Sequence, residues 1–305
     1  MKIAIALCIL LLGGSIASAK PIVIHNGQEH TLSSADGKRD FRVFIVAPDA
    51  PAPEAGYPVI YILDGNSILG TIADEVKRQL HTTYKVPAVV VAIGYPGEDP
   101  WNDQRRDFDL TPRVPDGDKL KGPGGEPMAP TGGADLFLEF IEQTVKPVVE
   151  RDYKIDRSQQ TLAGHSFGGL FTLHTFFTRP ETFQNFVAMS PSIWFADNYL
   201  LTEEAAYRAK FSEMPDKARL LITVGGCEQT IGECDPAMQS SPARDAWLGA
   251  KGRQVDNAVE MHKRLSALKG DAVNVYVIPG EHHVSVLAAS VSRAVRFALS
   301  TPIKK

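Results

Sequence analysis

Short apolar runs alternate along this chain with segments whose apolar residues recur every three or four positions. The runs predict strands, and the central ones are apolar at nearly every position, which is typical of strands buried on both faces. They lie at 41–48, 57–65, 86–95, 159–166, 183–192, 218–226 and 272–280. This alternation predicts an α/β fold with a central, mostly parallel sheet flanked by helices.

The other periodic segments have the spacing of amphipathic helices. They lie at 134–153, 169–180, 256–270 and 284–299. Residues 95–133 fit neither pattern and are rich in proline and glycine. Because a long irregular segment in a compact domain usually serves function, we interpret it as a loop insert that faces the substrate at one end of the sheet.

The N-terminus has the three parts of a cleavable secretion signal. Lys2 precedes an apolar run at 3–14, and Ala17-Ser18-Ala19 follows it. The run is shorter than the roughly 20 residues that a membrane span requires. We therefore predict a signal peptide at 1–19, one large α/β domain at 20–305, no membrane anchor after cleavage, and a periplasmic or secreted location.

Composition and charge narrow the classes of partner. The formal net charge is −4, which argues against non-specific binding to nucleic acid. Cys227 and Cys234 are the cysteines left after signal removal, and in an oxidising compartment they predict a disulfide. A metal site is the alternative, but two thiols without a neighbouring histidine are poor zinc ligands, so we expect no metal.

The strongest motif is Gly164-His165-Ser166-Phe167-Gly168. It follows a predicted strand and opens a predicted helix, as the nucleophile elbow of α/β-hydrolases requires. In that elbow the glycines permit a sharp turn and close packing of helix on strand, and the serine hydroxyl is exposed. The motif predicts Ser166 as a nucleophile.

A serine hydroxyl needs a base, which in this fold follows the last strand. His282 and His283 both stand there, after the run at 272–280. We expect His165 to have a structural role beside the nucleophile, His174 to lie in the core or on a helix surface, and His262 to face solvent.

The acid of a triad belongs after the penultimate strand, where Glu228 directly follows the run at 218–226. Glu233, Asp235 and Asp256 are alternatives, as is a Ser–His pair without an acid. The oxyanion hole needs two backbone N–H groups. We expect one from Phe167, after the nucleophile, and one from Asn66, in the tight turn that ends the run at 57–65.

Several blocks together resemble the putative-esterase family of α/β-hydrolases, and within it the siderophore esterases that open ferric enterobactin or related catecholates. They are YPVIYILDGNS, RRDFDLTP, LAGHSFGGLFTLHTFFTRPETF, MSPSIWF and GEHHVSVLAASVSRAVRF. The resemblance implies Ser166 as nucleophile, with Phe167 and Asn66 as oxyanion donors. It selects His283 over His282, because the family's final block reads Glu-Asn-His, and it supports Glu228.

A ferric tris-catecholate is anionic, bulky and aromatic. Arg105 and Arg106 are candidates to bind its charge, and Trp194 is a candidate aromatic contact. The alternatives are a local Arg106–Asp107 ion pair and a Trp194 packed in the core.

These features predict a periplasmic serine esterase that hydrolyses a ferric catecholate siderophore through an acyl-enzyme. The chemistry requires no cofactor, and any iron belongs to the small-molecule ester substrate. A general secreted carboxylesterase or acyltransferase is one alternative. A siderophore-binding protein without turnover is another.

Overall fold

A computed structural model describes residues 22–82, 84–123, 125–211, 213, 217–230 and 241–300. The predicted signal peptide lies outside these ranges, as do Glu233, Cys234 and Asp235, so the predicted disulfide stays a prediction. Within the described ranges, no helix has the length and apolarity needed to cross a membrane.

The architecture is an eight-stranded mixed sheet covered by helices on both faces. The strands are β1 (Gly27–Ser33), β2 (Asp40–Val46), β3 (Tyr57–Leu63), β4 (Val89–Gly94), β5 (Ile155–His165), β6 (Asn185–Met189), β7 (Arg219–Gly225) and β8 (Val273–Ile278). Their order is β1-β2-β4-β3-β5-β6-β7-β8. Strands β1 and β2 pair antiparallel to their neighbours, and the pairings from β4 through β8 are parallel. The predicted fold class is confirmed.

Helices connect the parallel strands. They are α1 (Gly65–Thr82), α2 (Asp103–Asp109), α3 (Ala134–Phe140), α4 (Lys146–Asp152), α5 (Phe167–Thr178), α6 (Phe195–Asn198), α7 (Leu200–Phe211), α8 (Pro242–Trp247), α9 (Gln254–Lys269) and α10 (Ser285–Leu299). A π-helical turn at Ile141–Val145 joins α3 to α4. Gly270 ends α9 at φ +57°, as the sequence predicts.

Two core clusters pack on opposite faces of the sheet, and β3 contributes to both. Val59, Tyr61 and Leu63 belong to the cluster that includes α3, α5 and α9. Ile60 and Ile62 belong to the cluster that includes α1 and α10. Because side chains alternate between the faces of a strand, a strand covered on both sides is apolar throughout. Each such side chain stabilises the fold by about 1.5–3 kcal/mol when fully buried.

Strand β1 and the helices α1, α2, α6, α7 and α8 were not predicted. Strand β1 is polar and largely exposed, and it forms by pairing with β2 along its whole length. Helix α1 did carry a readable signal, because Ile68, Ile72 and Val76 recur at helical spacing and are buried against the sheet.

The segment 95–133 is more ordered than its composition predicts. It contains α2, a 3₁₀ turn at Gly117–Lys119 and a bridge between Lys121 and Pro127. The side chain of Asn102 caps α2 by accepting a hydrogen bond from the Arg105 amide. The proline- and glycine-rich segment is therefore a folded insert that follows the carboxyl end of β4.

His174 lies on α5, 3% exposed, in contact with two carboxylates. Its Nδ1 lies 2.9 Å from both carboxylate oxygens of Glu203, and its Nε2 lies 3.4 Å from Asp135. Burial alone would lower the pKa of His174, but the hydrogen bonds to Asp135 and Glu203 raise it to about 9. The folded protein therefore holds a proton on His174 that the unfolded chain releases near pH 6.5.

We predict that His174→Gln lowers the free energy of unfolding most strongly below pH 6.5, where the charged pair is fully formed. Because the folded pKa is raised, the difference from wild type should shrink as pH rises through about 9. Its size at low pH should be on the order of 2 kcal/mol, since Asp135 is largely exposed. Urea unfolding across this pH range measures it, and a pH-independent difference would contradict the assignment.

Candidate active site

The tight turn between β5 and α5 presents Ser166. Its backbone has φ +59° and ψ −116°, a conformation that non-glycine residues rarely adopt. Hydrogen bonds fix this conformation: the Ser166 amide donates to Met189 O at 3.0 Å, and Ser166 O accepts from the amides of Leu170 and Ser192. The hydroxyl is therefore presented at the carboxyl end of the sheet.

Close packing explains two glycines beside the serine. A side chain at Gly164 would lie 2.3 Å from the carbonyl oxygen of Gly168, and one at Gly169 would lie 2.9 Å from Met189 O and from Pro191 Cα. A side chain at Gly168 would make only ordinary contacts, the nearest at 3.5 Å. Gly168 matters here because its backbone fills the space beside Gly164.

The structure joins Ser166, His283 and Glu228 by hydrogen bonds. The Ser166 Oγ lies 2.9 Å from His283 Nε2, and His283 Nδ1 lies 2.6 Å from Glu228 Oε2. These residues come from three different loops at the carboxyl ends of β5, β8 and β7. The arrangement has the serine–base–acid geometry that activates a hydroxyl.

Two further donors hold the Glu228 carboxylate, which is 2% exposed. Its Oε1 accepts hydrogen bonds from Ser190 Oγ at 2.6 Å and from the Gly225 amide at 2.7 Å, which leaves Oε2 for His283. Asp256, by contrast, is surface-exposed and bonds to Gln229 and Arg253. Sequence reasoning missed Ser190.

His165 also holds His283, through the backbone of that residue. Its Nε2–H donates to the backbone oxygen of His283 at 2.7 Å, and the two rings lie 4.7 Å apart. Burial lowers the pKa of His165 well below its usual value, and the neighbouring His283 lowers it further. His165 is thus neutral, able to donate this bond without placing a second positive charge beside His283.

Two helix starts lie where oxyanion donors were predicted. Phe167 is the first residue of α5 and Asn66 the second of α1, so neither amide has a partner within its helix. Gly65 lets α1 start against β4, since a side chain there would lie 2.9 Å from the Ala92 backbone. The Asn66 side chain bonds to Tyr95 and Gly97 and ties this turn to the end of β4.

Arg106 is buried, 8% exposed, and binds Asp64. Its guanidinium donates to both carboxylate oxygens of Asp64, at 2.6 and 3.0 Å. Asp64 itself lies in the turn before α1, at φ +58°. Arg106 therefore braces the turn that carries Asn66, and its acidic partner is Asp64 and not Asp107; its contact with substrate stays a prediction.

Arg105 is likewise held by groups of the protein. Its guanidinium packs over the rings of Phe41 and Tyr95 and lies 3.3 Å from Asp109. It lines a separate surface groove with Arg39 and Phe108. The structure thus places Arg105 in this groove and Arg106 on Asp64, and their roles in substrate binding stay predictions.

A cleft opens beside the serine–histidine pair. Ser192, Glu228 and His283 line one part of it, and Trp194, Trp247 and Arg244 line another. The two indole rings meet edge to face, with centroids 5.0 Å apart. Trp194, a candidate substrate contact, lies at the cleft. Trp247 and Arg244 were missed, because the sequence between β7 and α9 carries no motif.

The insert reaches the same cleft through Pro123. Gln254, at the start of α9, fixes the opposite rim by donating to the backbone oxygens of Ser190 and Pro191. Among the described residues, no group of three or more His, Cys, Asp or Glu side chains is placed to hold a metal.

Comparisons with known proteins find a matching family and several relatives. The model of a family described as putative esterase matches residues 34–264. The chain is 37% identical over 275 residues to the ferri-bacillibactin esterase BesA of Bacillus subtilis. The match covers 88% of this chain and 88% of that relative. It is 34% identical over 285 residues to the siderophore triacetylfusarinine C esterase of Aspergillus fumigatus, covering 90% of this chain and 93% of the relative.

The fold is also similar to a solved structure. The BES protein from Bacillus cereus superposes with a TM-score of 0.79 at 32% identity, over 93% of this chain and all of that one (100%).

We predict that Arg106→Leu destabilises the protein by about 3–5 kcal/mol, because it leaves the buried Asp64 carboxylate without a partner. The double variant Asp64→Asn, Arg106→Leu should recover much of this loss, since no uncompensated charge remains. Urea unfolding measures both. Equal losses in the single and double variants would show that the charge pair is not the cause.

We predict that Glu228→Gln slows covalent labelling of Ser166 by diisopropyl fluorophosphate by about 10²–10⁴-fold, because an amide cannot stabilise the imidazolium. Intact-protein mass spectrometry follows the reaction. Asp256→Asn is the matched control, and we expect it to label like wild type. The reverse result would make Asp256 the acid.

Proposed function

The chain belongs to the putative-esterase family of serine hydrolases, which act on carboxylic ester bonds, and we propose that it hydrolyses the ester bonds of a ferric catecholate siderophore. The observation that carries this proposal is the hydrogen-bonded Ser166–His283–Glu228 triad, which lies beside a cleft lined by two tryptophans. Hydrolysis would open the chelating scaffold and weaken its hold on iron.

The first half of the proposed reaction forms an acyl-enzyme. His283 Nε2 accepts the Ser166 proton as Oγ attacks the ester carbonyl, and the same proton then goes to the departing alkoxide. Glu228 holds the Nδ1 proton of His283, which fixes the tautomer whose Nε2 is free to act as base. The charge that develops on the imidazole is then stabilised by the carboxylate.

The second half repeats the proton transfers with water. His283 removes a proton from a water molecule that attacks the acyl carbonyl, and Ser166 Oγ leaves with that proton. In both halves the carbonyl oxygen becomes negative, and the amides of Phe167 and Asn66 would bind it. Such preformed donors stabilise the transition state by about 2.7–4 kcal/mol each in acyl transfer.

The substrate class is supported by the relatives and by the cleft. Two relatives over most of the chain are named as esterases of iron-binding siderophores. The rings of Trp194 and Trp247 offer broad aromatic surface next to the nucleophile. Aromatic walls favour a catecholate over a siderophore without rings.

We also propose that the protein acts in the periplasm or outside the cell, after cleavage behind Ala19. The support is the charged, apolar and small-residue order of residues 1–19. A Cys227–Cys234 disulfide fits that compartment and would close a short loop directly beside Glu228.

We predict that the mature chain (20–305) converts ferric enterobactin to opened trimer and shorter dihydroxybenzoylserine products, and that Ser166→Ala abolishes this. Mass spectrometry identifies the products. Ser266→Ala is the matched control, because this partly exposed serine on α9 donates to the Lys263 backbone oxygen and lies outside the hydrogen-bond series of Ser166. It should retain most of the turnover, since the proposed nucleophile and base stay in place.

Other substrates separate the rival functions. Turnover of p-nitrophenyl butyrate with ferric enterobactin untouched would make the protein a general carboxylesterase or acyltransferase. Preference for ferric triacetylfusarinine C, which has no aromatic ring, would keep the siderophore class and reject the catecholate. Binding of ferric enterobactin without turnover of any ester would favour a siderophore-binding protein.

A further inference from the structure

Helix α8 contributes a cation and an indole ring to the cleft beside Ser166. Arg244 and Trp247 lie one turn apart on this helix and line the cleft together. Trp247 contacts Trp194 edge to face, and Trp194 in turn contacts Phe167, with ring centroids 5.9 Å apart. The aromatic wall is therefore continuous from α8 to the residue after the nucleophile.

Arg244 differs from the other arginines near the site. Arg105 and Arg106 are held by Asp109 and Asp64, and Arg253 is held by Asp256 and Glu260. In the part of the chain that the structure describes, no carboxylate lies within ion-pair distance of the Arg244 guanidinium. Within those residues, no carboxylate neutralises its charge ahead of a ligand in the cleft.

The other charged groups at the cleft do not cancel it. Glu228 also lines the cleft, but its oxygens accept hydrogen bonds from Ser190, Gly225 and His283. The chain as a whole carries a formal net charge of −4, so an anion gains little from the overall field. A local cation at the cleft is therefore the group that can favour an anionic substrate.

We propose that Arg244 and Trp247 bind the anionic, aromatic rim of the iron-loaded substrate and make the enzyme prefer it over the iron-free form. This inference rests on the proposed function. Three catecholate dianions around Fe³⁺ form a trianion, whereas free catechols, with phenolic pKa values near 10, stay largely protonated at neutral pH. The two forms share the same ester bonds and differ in charge and shape.

Arginine suits this task because its guanidinium is planar, weakly hydrated and able to stack on aromatic rings. Arg244 would pair with catecholate oxygens while Trp247 and Trp194 contact ring faces and edges. Since Arg244 lies on the wall and not in the hydrogen-bond series of Ser166, it would act on substrate binding and leave the acyl-transfer steps unchanged. It is therefore a specificity-determining residue.

The test compares Arg244→Gln with wild type on ferric enterobactin, iron-free enterobactin and p-nitrophenyl butyrate. We expect KM for ferric enterobactin to rise about fivefold at low salt, with kcat changed by less than about twofold. KM for the two uncharged substrates should stay unchanged. Arg244→Lys should restore part of the loss, and added salt should narrow the difference between wild type and variant.

Arg151→Gln is the matched control, since it removes the same charge from an exposed arginine that pairs only locally with Asp152. It should behave like wild type on all three substrates. An equal rise of KM for ferric enterobactin in this control would show that the effect comes from net charge alone, and it would overturn the proposal. An equal rise for ferric and iron-free enterobactin in Arg244→Gln would overturn it too.

A binding measurement separates this inference from the proposed function. Quenching of tryptophan fluorescence by ferric enterobactin is compared in Ser166→Ala and in Ser166→Ala, Arg244→Gln. Weaker binding in the double variant supports the Arg244 site even if the wild type hydrolyses no siderophore. Turnover of ferric enterobactin by the wild type, with binding unchanged in the double variant, would overturn the Arg244 site and leave the esterase function standing.

Discussion

The backbone contact between Gly164 and Gly168 is the constraint on which the site depends. It places the start of α5 against the end of β5. The sharp turn between them requires Ser166 to adopt φ +59°. The β6 loop then secures the turn through Met189 O and the Ser192 amide. A strained serine at the end of a central parallel strand is exposed on the side where the neighbouring loops converge.

The surrounding interactions serve mainly to hold His283 beside that serine. The Glu228 carboxylate fixes one ring nitrogen, and His165 fixes the backbone carbonyl of the same residue. Ser190, at φ +42°, fixes Glu228 in turn. These buried polar groups satisfy one another, so the active-site geometry is part of the folded core and not an addition to its surface.

The cleft has a different origin, because its outer wall comes from segments that carry no shared pattern. Trp194 follows β6, Trp247 ends α8, and Pro123 belongs to the insert after β4. Charge at this wall comes from Arg244, while Arg106 is committed to bracing the turn before α1. The serine, base and acid thus follow strands of the sheet, whereas the outer wall of the cleft comes from the segments between them.

The sequence by itself determined the parallel strands and the nucleophile elbow, because local periodicity or a short motif marks each. The choice of His283 and Glu228 rested on the residue order of the fold and on the family resemblance. Periodicity did not reveal β1, since pairing with β2 creates that strand. The partners of Arg106 and Ser190 were decided only in three dimensions, by contacts with Asp64 and Glu228 across 42 and 38 positions of chain. An arginine that binds substrate and one that binds a buried carboxylate cannot be told apart in the sequence, because only the packing around the guanidinium distinguishes them.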